Sequence, residues 1–380
     1  MNSDSSSPAS LAPVTDARFA PVYGVLREAM ASRAFPGCAF GVLAGGKVVL
    51  QNALGRFTYD DGARATTPET VYDIASLTKV VATTSVAMLL HQRGQLDLDL
   101  PLGELLPGFV VGHSPGEHAY LVTLRHLLAH NSGLPGYVEF YKTVSTPAGL
   151  LRACLRLPLK SEPGTRAEYS DPGFILLGKA LEVLAREDLV TWVRREVLGP
   201  LGMESTGYCP APERRSLIPP TEIDHTLRRR RIQGEVQDEH AWLLKGAGGH
   251  AGLFSNVPDL LQYSREILAA AKPGQEYGSP QIFETKTMEC FAERQGPAGS
   301  SRALGWDTPS AESSAGHFFS TDSIGHLGYS GCSLWIDLRA GIAAVLLTNR
   351  TWPDRQCQLI RQVRPQFHDA VRQALGGDDL

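Results

Sequence analysis

The stretch Tyr72-Asp73-Ile74-Ala75-Ser76-Leu77-Thr78-Lys79, which opens the apolar run ending at Arg93, decides the reading of this chain. Leu77 to Arg93 is mainly apolar and is stopped by Gly94, so it is predicted as a helix. A helix this apolar belongs inside a protein. Ser76 and Lys79 then lie on one face at its head, where free backbone N–H groups and the positive dipole end gather. A serine hydroxyl is a poor nucleophile until a base takes its proton, and a lysine whose charge is disfavoured by burial can be that base. The chain has 28 Arg against 8 Lys, and Ser76 is the only serine three residues ahead of any lysine. By itself the tetrapeptide also fits a plain N-cap followed by a solvated first-turn lysine, so its surroundings must decide.

Working outward, Phe19, Val22, Leu26 and Ala29 recur at three- and four-residue steps, which predicts a first helix to about Arg33. The runs Cys38 to Leu43 and Val48 to Ala53 meet across Gly45-Gly46 and predict an antiparallel hairpin. A second hairpin is predicted from Cys332 to Asp337 and Ile342 to Thr348, followed by a helix over about Gln358 to Leu375. Between the hairpins, Arg125 to His130, Pro147 to Leu155, Gly173 to Arg186 and Val190 to Val197 read as helices separated by Pro- and Gly-containing loops. If both hairpins share one sheet, the chain ends pack together and the helical middle is an inserted subdomain. The expected division is a flexible tail over 1–16 and a single domain over 17–380. Within it, 17–75 and about 235–380 form the sheet-containing α/β part and about 76–234 the largely helical part.

Composition narrows the class. With 380 residues, 43% hydrophobic, 20% charged and a net charge of -4, the chain buries a core and is neither disordered nor a dedicated nucleic-acid binder. Arg228 to Arg231 is basic, but without interleaved aromatics it reads as a solvated face. The six cysteines lack metal-ligand spacing. His126 and His130, four apart, lack the Glu and third ligand of a zinc protease and read as structural. No run of about 20 apolar residues predicts a membrane span. The N-terminal stretch has no basic or apolar region of a secretory signal, so the chain is expected to be cytoplasmic.

Two further stretches can carry chemistry. Tyr169-Ser170-Asp171 precedes a helix, with Asp171 readable as an N-cap before Pro172. Gly325-His326-Leu327-Gly328-Tyr329-Ser330-Gly331 leads into a strand, where glycines permit close backbone approach. In order and spacing, Ser76 to Lys79, Tyr169 to Asp171 and His326 to Gly328 resemble the S-x-x-K, Y-x-N and K-T-G or H-x-G signatures of the serine β-lactamase and penicillin-binding protein superfamily, in particular its class C-related esterases, D-amino-acid peptidases and amidases. Leu127 to Leu134 and Gly252-Leu253-Phe254-Ser255 look like framework of the same family.

The resemblance implies an α/β (α+β) fold with a central antiparallel sheet flanked by helices plus a helical subdomain, and a bacterial source. It implies that Ser76 attacks a carbonyl, that Lys79 is general base and that Tyr169 passes protons, with no cofactor and no metal. The backbone N–H groups of Ser76 and Tyr329 would hold the oxyanion, and Asp171, His326 and Gly328 would bind substrate. Asp171 stands where the family usually has Asn, and His326 where many members have Lys. A carboxylate beside Lys79 favours its cation and shifts the burden of base to Tyr169 unless Asp171 is itself protonated. His326 is only partly charged near neutrality and anchors a carboxylate less firmly than lysine. Both departures argue against an efficient β-lactamase. Gly234 to Gly252 resembles a subgroup of carboxypeptidases and an N-acetylmuramyl-L-alanine amidase, and implies substrate or proton-transfer roles for Glu239 and His250. The expected activity is hydrolysis of a small amide, a cell-wall-derived or D-amino-acid peptide, or an ester. The partner is a small-molecule substrate, with no nucleic acid and no membrane, and the oligomeric state is left open. The alternatives are a weak β-lactamase and a non-catalytic binding protein retaining the fold.

Overall fold

The computed structural model describes residues 16–275 and 277–376. The expected tail over 1–16 therefore lies, but for Asp16, outside the described residues. The elements that position the site are, in chain order, helix α1 (Ala20–Ala31), strands β1 (Gly37–Ala44) and β2 (Lys47–Gly55), helices α2 (Ser85–Gln92), α3 (Asp171–Ala185) and α4 (Val257–Ala271), strands β3 (Ser323–Leu327), β4 (Ser333–Asp337) and β5 (Ile342–Thr348), and helix α5 (Ile360–Ala374).

Both expected hairpins form, and they lie side by side in one five-stranded antiparallel sheet of order β2-β1-β5-β4-β3. Strands β1 and β5 join the two ends of the chain, with Phe40 opposite Leu346 and Val42 opposite Ala344. These strands are apolar on both faces because both are covered. One face packs on α1 and α5 through Phe19, Tyr23, Phe40, Trp335 and Phe367. The other packs on α4 and on the helical part through Ala39, Leu43, Val257, Leu261 and Val345, in a core continuous with α2 and α3. Each such fully buried Leu, Val or Phe contributes about 1.5–3 kcal/mol. Strand β3 is left at the sheet edge, beside the helical part.

Three local expectations change. The helix after Ala75 is not uniform: Ala75–Leu77 is a 3-10 turn, Lys79–Thr84 a π-helical stretch, and only Ser85–Gln92 regular α-helix. Wider turns of this kind recur at functional sites because they re-aim side chains. A hairpin of Pro220–Asp224 and Arg230–Gln233 stands inside the stretch expected to be helical. Its Arg228 is not a solvated residue: the guanidinium is buried and donates to Asp224 Oδ2 at 2.7 Å and to the carbonyls of Val236 and Gln237. The fixed fork of arginine suits such multidentate burial, so here the basic run ties one loop to another. No helix among the described residues is long and apolar enough to cross a membrane.

Candidate active site

Ser76 sits on a strained turn. Ala75 before it has φ 47°, a left-handed conformation uncommon for a residue with a Cβ. Asp73 holds it there, because its Oδ1 accepts from Ala75 N at 2.8 Å while its Oδ2 accepts from Gln237 N at 2.7 Å. Burial pushes the Asp73 carboxyl up to about 6, only partly offset by those two N–H donors. The Asp73 carbonyl also accepts from Ser330 Oγ at 2.7 Å, which ties this turn to the loop after β3.

Lys79 is completely buried and all three of its N–H donors are used. Its Nζ lies 3.1 Å from Ser76 Oγ, 2.7 Å from Asp171 Oδ1 and 3.0 Å from the carbonyl oxygen of His250. Burial by itself would lower its pKa, but the charge of Asp171, with Tyr169, outweighs it and the value is raised. Lys79 is thus an ammonium at rest. The carbonyl of His250 reaches it because Gly249 passes against α3, where a Cβ would meet the Phe174 carbonyl oxygen at 2.4 Å.

Tyr169 and Asp171 are set by one loop. Ser170, not Asp171, caps α3, its Oγ accepting from Gly173 N at 3.1 Å. That one-residue shift releases the Asp171 carboxylate to face Lys79 rather than its own helix. The loop is stitched to the segment after Leu128: Ser170 N donates to His130 Nδ1 at 3.0 Å and Ser170 Oγ to the Pro135 carbonyl at 2.8 Å. The half-buried Tyr169 ring packs on His130 at 4.6 Å between centroids and has Lys79 Nζ 4.8 Å from its own centroid. Burial raises the Tyr169 pKa, and the charge of Lys79 acts in the opposite direction. His130, read from sequence as merely structural, is therefore a wall of the Tyr169 seat. Its position just before Asn131-Ser132-Gly133 was the only hint.

Strand β3 supplies the facing wall. His326 Nδ1 lies 2.9 Å from the Leu327 carbonyl oxygen and so carries the proton as its donor, which leaves Nε2 as a buried lone pair without a partner among the described residues. Burial, with Lys79 and Arg302 nearby, holds its pKa well below the usual histidine range. The partly charged histidine expected from sequence is a neutral one here, because the strand edge is too dry and too cationic to protonate it. Gly328 permits the close approach of this edge to the serine turn, since a Cβ there would meet the Ile74 carbonyl oxygen at 2.5 Å. Arg364 Nη2 donates to the carbonyls of Gly328 and Cys332, and Arg350 Nε to that of Tyr329 at 2.9 Å. The turn's carbonyls therefore point outward, and among the described residues no acceptor takes up the N–H of Ser76 or of Tyr329.

A cavity of about 850 Å³ opens over Ser76 and Tyr169, walled by His326, Gly328, Tyr329 and the cationic Arg302 and Arg361. Glu239 and His250 do not line it. Glu239 is buried in an ion pair with Arg355 at 3.0 Å, and the His250 ring is turned onto Asp238 at 2.8 Å. The geometry brings together a hydroxyl, an ammonium, a phenol and two free N–H groups, which is what acyl transfer needs.

Comparisons with known proteins give the family and the fold. The Beta-lactamase family model matches residues 23–365. A protein of Salmonella typhi named "Putative D-alanyl-D-alanine carboxypeptidase" is 28% identical over 354 residues, covering 83% of this chain and 79% of its own. Among solved structures, "EstCE1, a hydrolase with promiscuous acyltransferase activity" superposes with a TM-score of 0.75 at 23% identity, covering 93% of this chain and 98% of that one. The octameric penicillin-binding protein homologue from Pyrococcus abyssi superposes with a TM-score of 0.70 at 22% identity, covering 93% and 77%. At these identities the two structures establish the shared fold.

Proposed function

This chain belongs to the Beta-lactamase family and is a serine hydrolase of the β-lactamase and penicillin-binding type, and from that premise we propose that Ser76 forms a covalent acyl-enzyme with a small D-amino-acid amide or peptide derived from cell wall. The observation that carries the reading is the 3.1 Å contact between Lys79 Nζ and Ser76 Oγ at the floor of the cavity. Because Lys79 is an ammonium at rest, it must first give a proton away. Asp171, 2.7 Å distant and nearly desolvated, is the acceptor: the proton moves along that hydrogen bond and the neutral amine takes the proton of Ser76 as Oγ attacks the carbonyl carbon. Tyr169 then protonates the leaving amine and draws its replacement proton from Lys79. Water attacks the ester by the reverse route.

The N–H groups of Ser76 and Tyr329 stabilise the oxyanion, and Arg302 and Arg361 on the cavity wall meet the substrate carboxylate in place of a lysine. Support for the peptide substrate comes from the carboxypeptidase name of the Salmonella relatives and from those two arginines. A second reading, hydrolysis of a neutral ester, is favoured by the uncharged His326 at the position where many relatives carry a lysine.

Intact-protein mass spectrometry after mixing with p-nitrophenyl acetate or with a diacyl-Lys-D-Ala-D-Ala peptide tests the proposal. One acyl mass on the peptide containing Ser76 is expected, and none in Ser76→Ala. Turnover of the D-Ala-D-Ala peptide should exceed that of nitrocefin. Absence of any acyl-enzyme and of any hydrolysis with all three compounds would refute it.

A further inference from the structure

On the far side of Lys79 from Ser76, the chain gathers Asp238, His240 and His250, with one candidate ligand atom of each within 4.8 Å of the others. His240 is fully buried, and among the described residues neither of its ring nitrogens has a hydrogen-bond partner. The Val138 carbonyl lies near the ring, and its pull toward the charged form does not offset burial, which holds the His240 pKa below the usual histidine range. His250 has an unpaired Nδ1 as well. A buried imidazole with no partner on either nitrogen is rare in a folded protein, and it asks for a ligand.

We infer that Asp238, His240 and His250 form a binding site for one divalent transition cation, Zn²⁺ foremost. Two imidazoles and one carboxylate are the protein ligands of open zinc sites and of other two-histidine, one-carboxylate metal sites. All three residues are held from outside the cluster. Asp238 caps the turn Glu239–Leu243 through Ala241 N at 2.7 Å. The His250 carbonyl is fixed by Lys79, and the His240 ring lies between Tyr137 at 5.1 Å and Phe140 at 5.7 Å. The mutual spacing of the three atoms, within 4.8 Å, is on the scale that ligands of one cation at 2.0–2.2 Å require. Glu239, bound to Arg355, is not available as a ligand, so the set stops at three and leaves a position for water or a substrate group. An ordinary His250–Asp238 pair explains the 2.8 Å contact but leaves His240 without a role.

The test uses the full chain, stripped with a chelator, desalted and titrated with zinc sulfate by calorimetry, with Co²⁺ absorption as a second readout. One Zn²⁺ per chain is expected, together with visible Co²⁺ bands and a rise in melting temperature on adding zinc. His240→Gln should weaken binding beyond the 10- to 100-fold that follows loss of an outer partner. Asp238→Asn serves as the second variant should the first not fold. The inference is overturned if the stripped protein takes up no zinc, or if either folded variant binds it as the wild type does. Neither result depends on the acyl-enzyme, so failure here leaves the proposed hydrolysis standing.

Discussion

Two polar clusters share His250, and they are built in opposite ways. On one side its carbonyl receives Lys79, whose three N–H groups are all taken by Ser76, Asp171 and His250 itself. On the other side its ring meets Asp238, while His240 beside it has two nitrogens without partners among the described residues. The first cluster is complete within the chain: its groups are aligned before any substrate arrives, so little reorganisation remains for the reaction. The second has its ligand atoms in place but its hydrogen bonding unfinished, as a site does when part of it comes from outside. An unsatisfied buried group costs about 1–3 kcal/mol, a penalty that selection removes unless something binds there.

The largest test of this difference is Lys79→Met, which keeps the volume but strands the Asp171 carboxylate. Stability should fall by about 3 kcal/mol in urea melts, somewhat less than for a fully buried pair because Asp171 is slightly exposed. The rate of ester hydrolysis should drop by about 10²–10⁴. Equal stability would mean that the first cluster is no more complete than the second.

Asp171→Asn is subtler and turns on pH. Lys79 has a raised folded pKa, so its pairing stabilises the protein fully below the unfolded value and is lost only as pH rises through the higher folded one. Asn removes the charge that raises it, and burial then pulls it down. Lys79 then rests closer to the neutral amine and no longer needs Asp171 as its acceptor, so the acid limb of kcat/KM should follow its lowered pKa to lower pH and the neutral-pH rate should rise severalfold, nitrocefin included. A limb that stays in place would assign the proton transfer to Tyr169 alone. Profiles of metal-stripped and zinc-treated protein, recorded side by side, separate this shift from any effect of the neighbouring cluster.

What the sequence made legible follows the same division. The hairpins were readable because glycines at Gly45-Gly46 and the turn around Gly341 punctuate apolar runs, and the three motifs because their chemistry needs fixed spacings. Neither the π-helical stretch after Thr78 nor the left-handed Ala75 was readable: Asp73 holds Ala75, and Lys79 and Thr83 of the stretch bond the distant His250 and Gly249 carbonyls. The burial of Arg228 was hidden for the same reason, its partners Asp224, Val236 and Gln237 being assembled by the hairpin it closes. The stretch holding Asp238, His240 and His250 was read for substrate or proton-transfer roles and not as a metal set, because a spacing of two and then ten residues matches no metal motif. Only folding reveals that the ring of His240 is dry.

The smallest effect is also the one that decides between the two clusters. His240→Phe removes both unpaired nitrogens and keeps a ring of similar size between Tyr137 and Phe140. In metal-stripped protein this should stabilise by about 1 kcal/mol, because a buried polar group without a partner is worse than an apolar one of the same shape. The corresponding rise in melting temperature is about 2 °C, measured against stripped wild type. With zinc at a hundred times its dissociation constant the order should reverse, since only the wild type gains the roughly 2.7 kcal/mol that such binding supplies. A stripped variant that melts below wild type would mean that His240 is already satisfied by the protein, and the contrast between the clusters would collapse to one of degree.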